Sequence, residues 1–135
     1  MRKHISPVKR LSTSPLALWL PPLIWMALIF VVSGTPPAEI PEYGRWDVWI
    51  KKGGHMAAYA VLTLLWARAL RTRRPAGPAA WLALCIALLY AISDEYHQTF
   101  VAGRHGTAAD VLVDMVGGVA SVLAWHWFGR VRTRT

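Results

Sequence analysis

Four apolar runs alternating with charged connections constrain this chain more than any other feature. The runs fall at about 15–33, 54–70, 79–95 and 108–128. A helix crossing a bilayer core needs about 20 apolar residues, and a segment inside that core must satisfy its own backbone hydrogen bonds. The second and third runs are short for that thickness, so their helices are expected to continue through polar residues into the interface. The expected fold is all-α: an integral membrane bundle of four transmembrane helices over 15–128, flanked by basic cytoplasmic tails at 1–14 and 129–135.

The first run follows Arg2, Lys3, Lys9 and Arg10, the layout of a secretory leader. At 19 residues it is long for a leader core, and Ser33, Gly34 and Thr35 lead straight into Pro36 and Pro37 rather than a small-residue cleavage pattern. It reads as a retained span, with Pro21 and Pro22 placed to kink it. A net charge of +8 and a pI near 10.4 would suit nucleic acid if the basic residues covered one exposed face. They sit instead between apolar runs, so no nucleic-acid partner is expected. Cys85 is the single cysteine, which excludes an intrachain disulfide and a cysteine-based zinc site.

Charge segregation sets the expected orientation. The N-terminal tail, the stretch from Arg68 to Arg74 and the C-terminal tail hold eleven of the fifteen Lys and Arg residues and none of the seven acids. Glu39, Glu42, Asp47, Asp94, Glu95, Asp110 and Asp114 share the other side with Arg45, Lys51, Lys52 and Arg104. The positive-inside rule then puts both termini in the cytoplasm. The connection over 34–52 is expected to cap the outer face, with Trp46 and Trp49 at headgroup level.

That same outer side collects the polar groups. Lys51, His55 and Tyr59 are spaced by four on one face of helix two, Asp94 and Gln98 by four at the end of helix three beside Glu95, and Asp110 and Asp114 by four at the start of helix four, with Arg104 in the loop between. A carboxylate as deep as Asp114 is costly near lipid and should face the bundle interior, where Gly117, Gly118 and Ser121 allow a close helix approach. His97 and His105 read as loop surface, and Ser93 beside Asp94 is a weak nucleophile candidate because serine commonly ends helices. A metal set can be drawn from His55, Glu95 and Asp110, but its spacing matches no zinc signature and neighbouring Arg and Lys would already neutralise the acids. No metal and no cofactor is expected.

In order, Lys51-x-x-x-His55-x-x-x-Tyr59-x-x-Leu62, Ser93-Asp94-Glu95-x-x-Gln98-x-Phe100, Gly103-Arg104, Asp110 and Gly117 resemble the VanZ-like membrane protein family over about 47–121. The family's usual Pro before Gly-Arg is Ala102 here, and its usual Asn is Asp114. The resemblance implies a polar signature of His55, Tyr59, Glu95, Gln98, Arg104 and Asp110. It also implies a multi-pass protein of the bacterial cytoplasmic membrane with an envelope role, associated in some members with low-level resistance to glycopeptide antibiotics.

Three functions compete. In the first, the outer face binds or handles an anionic envelope molecule such as a lipid-linked phosphate, with Lys51, Arg104, Tyr59, Asp94, Gln98 and Asp114 as binding groups. In the second, an intramembrane enzyme acts on such a lipid or on a cell-wall precursor by acid and base chemistry at His55, Glu95 and Asp110. In the third, the polar layer locks a structural bundle that forms a homo-oligomer. Membrane lipids are the expected surroundings in all three.

Overall fold

The computed structural model describes residues 14–132, with side chains through residue 128. The expected tails therefore lie outside the described residues, apart from Ser14 and the last helical turn. Four long helices make up the described part: α1 Pro15–Ser33, α2 Asp47–Leu70, α3 Ala76–Gln98 and α4 Ala108–Arg132. Two single 3-10 turns, Pro37–Glu39 and Gly44–Trp46, fill the connection between α1 and α2.

Local chemistry explains the helix ends. Ser14 accepts a hydrogen bond from the Ala17 amide at 3.3 Å and Pro15 opens α1, a pairing that satisfies a free donor and presets the backbone. Pro21 and Pro22 lie inside α1, which runs through them as one helix. Asp47 starts α2 where an acid favours the helix dipole. The helix thus begins seven residues before the apolar run, and the expected cap over 34–52 is correspondingly shorter. At the start of α4, the Asp110 amide donates to Thr107 Oγ1 at 3.2 Å, a side-chain N-cap, while the Thr107 hydroxyl donates to Asp110 Oδ2 at 2.7 Å.

α2 is the central helix, packed on α1, α3 and α4. Its buried stripe of Tyr59, Leu62, Thr63, Ala67 and Leu70 follows the three-and-four spacing of one helix face. α3 meets it with Ala79, Ala83, Ala87 and Ala91, all fully buried, a ladder of small residues at spacing four that lets two backbones approach. α4 does the same with glycine. A Cβ on Gly117 would overlap the Met56 carbonyl, and one on Gly118 would press on Leu84 and on Thr63 Oγ1. Two bonds tie the middle of α1 to its neighbours: Trp25 Nε1 donates to the Ala58 carbonyl at 2.9 Å, and the Tyr90 hydroxyl donates to the Met26 carbonyl at 2.6 Å.

Large apolar side chains ring the outside, among them Leu16, Ile24, Val31, Leu89, Leu112 and Leu123. That much exposed apolar surface is unfavourable in water and normal against lipid. Among the described residues α1, α3 and α4 are each long and apolar enough to cross a membrane. α2 falls short on apolarity although its 24 residues span about 36 Å, more than a bilayer core of about 30 Å. Lys51, Lys52, His55, Tyr59, Thr63 and Arg68 lower its average, and Tyr59 and Thr63 are fully buried between helices.

Candidate functional site

The C-terminal end of α1, the first turns of α2, the last turn of α3 and the start of α4 meet at one end of the bundle. There the two central helices carry ionisable groups toward each other. His55 Nδ1 lies 3.5 Å from Asp114 Oδ1, and one ligand atom from each of His55, Glu95 and Asp114 falls within 4.8 Å of the others. Asp114 is fully buried, and among the described residues neither of its carboxylate oxygens has a hydrogen-bond partner; the 3.5 Å approach to His55 is too long to count as one. Glu95 is better held. Its Oε2 accepts from the Thr107 amide at 2.9 Å and its Oε1 from Gln98 Nε2 at 3.1 Å.

The cations are committed elsewhere. Lys51 pairs with Asp47 at 2.8 Å, and this hydrogen bond holds the Asp47 carboxyl below the usual carboxylate range. Lys52 pairs with Asp110. Arg104 donates from Nε to the Thr35 carbonyl at 3.0 Å, from Nη1 to Gln98 Oε1 at 3.1 Å and from Nη2 to the Val32 carbonyl at 3.4 Å. A guanidinium fork on the last carbonyls of a helix both satisfies free acceptors and opposes the negative end of the dipole, so Arg104 fastens the end of α1 to α3.

A cavity of about 150 Å³ opens among these groups, lined by Lys51, Lys52, His55, Glu95, Gln98, Arg104, Asp110, Val113 and Asp114. Seven of the nine residues singled out in the sequence line it. Tyr59 and Asp94 do not. Tyr59 belongs to the core below, its ring 6.3 Å from that of Tyr90. Asp94 is almost fully buried, with Oδ2 accepting from the Ser33 hydroxyl at 2.8 Å and from Gln98 Nε2 at 3.3 Å. Asp110 lines the rim but is engaged by Lys52 and Thr107, so Asp114 is the carboxylate that joins His55 and Glu95. His97 also departs from expectation: it lies within α3, stacked on Phe30 with ring centroids 4.1 Å apart, because α1 covers that face. His105 is exposed in its loop, and Ser93 is exposed on α3.

Lys52, Ser33 and Thr107 were not anticipated. Thr107-x-x-Asp110 had a readable capping spacing, whereas Ser33 carried no signal because nothing in the sequence brought the end of α1 to Asp94.

Two apolar grooves flank the polar cavity. One of about 350 Å³ runs between α1 and α2, lined by Trp25, Leu28, Ile29, Val32, Ala57, Ala58 and Val61 and reaching Ser33 and His55. The other, about 540 Å³, runs between α3 and α4 along Ile92, Tyr96, Val111 and Leu112 and reaches Glu95. His55 therefore borders both the polar cavity and the first groove, and Glu95 borders the cavity and the second. An apolar slot ending on a few convergent polar groups is the usual form of a site for a molecule with a chain and a polar head.

No curated protein and no solved structure matches the chain. The family model described as VanZ/LLP1 matches residues 18–129, a stretch that takes in α2 and α3 whole and most of α1 and α4, together with every residue lining the polar cavity. The chain belongs to the VanZ/LLP1 family.

Proposed function

We propose that the protein crosses the bacterial cytoplasmic membrane four times, with both termini in the cytoplasm, and receives an anionic amphiphile of the cell envelope at its extracytoplasmic end. The shared wall at His55 carries this reading: an apolar groove open toward lipid ends on the polar cavity, so a chain lying in the groove would deliver its head beside His55, where Lys51 and Lys52 line the wall in their ion pairs with Asp47 and Asp110. Charge supports the orientation. The cavity end holds all seven acids, and the opposite end holds Arg68, Arg71, Arg73 and Arg74. Arg71 there lies 5.4 Å over the Trp125 ring, an aromatic and basic layer of the kind found at a membrane interface.

A polyprenyl phosphate and the matching polyprenol test the reading in native mass spectra of the detergent-purified protein. The phosphate is expected to stay bound and the alcohol to dissociate. Val61→Trp, which fills the groove, and Lys52→Gln, which removes a cation at the cavity, should each weaken retention. Equal retention of phosphate and alcohol, or full retention by Val61→Trp, would overturn the proposal. With Cys85→Ala as the background, labelling of single cysteines placed at positions 45 and 73 in intact cells tests orientation, with only position 45 expected to react with an impermeant reagent.

The His55 and Asp114 approach favours a second reading, an acid and base catalyst on the same bound lipid or on a cell-wall precursor. His55→Ala would then bind the amphiphile but leave its head unchanged, whereas wild-type protein would convert it. Involvement in glycopeptide resistance follows from either reading if the amphiphile is a wall precursor carrier. Deletion of the protein should then lower the inhibitory concentration of a lipoglycopeptide.

A further inference from the structure

We propose that His55, Glu95 and Asp114 form a binding site for one divalent cation of the Zn²⁺ or Mn²⁺ type. The sequence argued against a metal on the ground that nearby Arg and Lys neutralise the acids. The structure removes that ground. Lys51 is on Asp47, Lys52 is on Asp110, and Arg104 is spread over the Val32 carbonyl of α1, the Thr35 carbonyl just beyond it and Gln98. None of the three forms an ion pair or hydrogen bond with Asp114 or Glu95.

Asp114 is the independent observation. A fully buried carboxylate whose two oxygens find no donor is costly, and such groups are paired, protonated or bound to metal. Its nearest partners are an imidazole and a second buried carboxylate, and the three groups together offer a cation one nitrogen and two oxygen ligands. Ligand atoms within 4.8 Å of one another close around an ion with bonds of about 2.0–2.2 Å after rotamer shifts of about 1 Å. Imidazole favours the borderline transition metals and carboxylate the harder ions, so a mixed set selects Zn²⁺ or Mn²⁺ over Ca²⁺ or Mg²⁺. The Thr107 amide and Gln98 already fix the Glu95 carboxylate, the outer support expected of a ligand.

Three protein ligands leave a position open toward the cavity. A cation there also resolves how an acid-lined cavity can receive an anion, since a phosphate oxygen could complete its coordination. This last step rests on the amphiphile reading above; the metal site itself does not.

The full-length protein, stripped with chelator in detergent, is dialysed against Zn²⁺ or Mn²⁺ without amphiphile, desalted and assayed for metal by mass spectrometry, with thermal unfolding measured in parallel. Wild type is expected to retain about one equivalent and to unfold at a higher temperature with metal than without. Glu95→Gln, Asp114→Asn and His55→Ala should each lose at least about 100-fold in affinity and the metal-dependent stabilisation, since even outer-shell changes cost 10–100-fold. Asp47→Asn, an acid at the same end outside the cluster, should bind as wild type. Failure of wild type to retain metal, or unchanged affinity in Glu95→Gln and His55→Ala, overturns the proposal, and the wild-type result holds even if Asp114→Asn does not fold. Metal retained without amphiphile binding would instead overturn only the reading of the groove.

Discussion

Arg104→Ala separates a ligand contact from a structural clamp. Arg104 makes three hydrogen bonds, two of them to carbonyls at the end of α1. Bonds to a charged donor are worth about 1.5–3 kcal/mol each when shielded, and partial exposure lowers that, so the clamp contributes about 3 kcal/mol to holding the end of α1 on α3. Its removal should raise local opening there by about 100-fold at 1.4 kcal/mol per tenfold. Hydrogen exchange in detergent reads this directly: the amides of Gly34 and Thr35, bonded to Phe30 and Val32, should exchange about 100-fold faster, while the central part of α2 is unchanged. Arg104→Lys, a point charge able to reach one acceptor, should recover part of the protection. Unchanged exchange in Arg104→Ala alongside lost amphiphile binding would refute the clamp and return Arg104 to the ligand.

Other perturbations follow from single contacts. Gly117→Ala puts a methyl group onto the Met56 backbone carbonyl, which cannot rotate away, so the α2 and α4 interface should lose about 1–3 kcal/mol or fail to assemble; size-exclusion profiles and thermal unfolding check it. Gly53→Ala meets open space in the same helix and should instead stabilise by about 0.5–1 kcal/mol; a loss there would refute the helix placement. Ser33→Ala leaves Asp94 Oδ2 with only its longer bond to Gln98 and should cost about 1–3 kcal/mol, read as a lower unfolding temperature.

The sequence made the helical class legible because apolar runs of this length have few alternatives in lipid. It also brought the polar residues to one end, since helix spacing and alternating chain direction are both countable. What it missed were choices made by neighbouring helices. Lys51 and Lys52 flank the His55 face almost equally on a helical projection, four and three residues before it, and only the position of α4 decides that Lys52 meets Asp110. Likewise Asp110 and Asp114 are one turn apart, and Thr107 claims the first while burial isolates the second. α2 itself falls short on hydropathy because it is the central helix, with Tyr59 and Thr63 facing protein and charged residues at both of its ends.

These assignments change which chemistry the cavity can support. A cluster of Lys, Arg and acids read from sequence looks balanced, with mobile cations free to meet an incoming phosphate. In the folded bundle the cations are part of the frame: Arg104 fastens α1, and Lys52 with Thr107 fixes the start of α4. The frame then holds His55, Glu95 and Asp114 together with no ion pair to Arg or Lys among the described residues, and burial of the two carboxylates weakens the screening of one from the other. Such a cluster must recruit positive charge from outside the protein, as a proton or as a metal ion. A proton on His55 or Asp114 would neutralise a single charge, with Glu95 still held by Thr107 and Gln98, whereas a divalent ion would engage all three groups at once and still present charge to the groove.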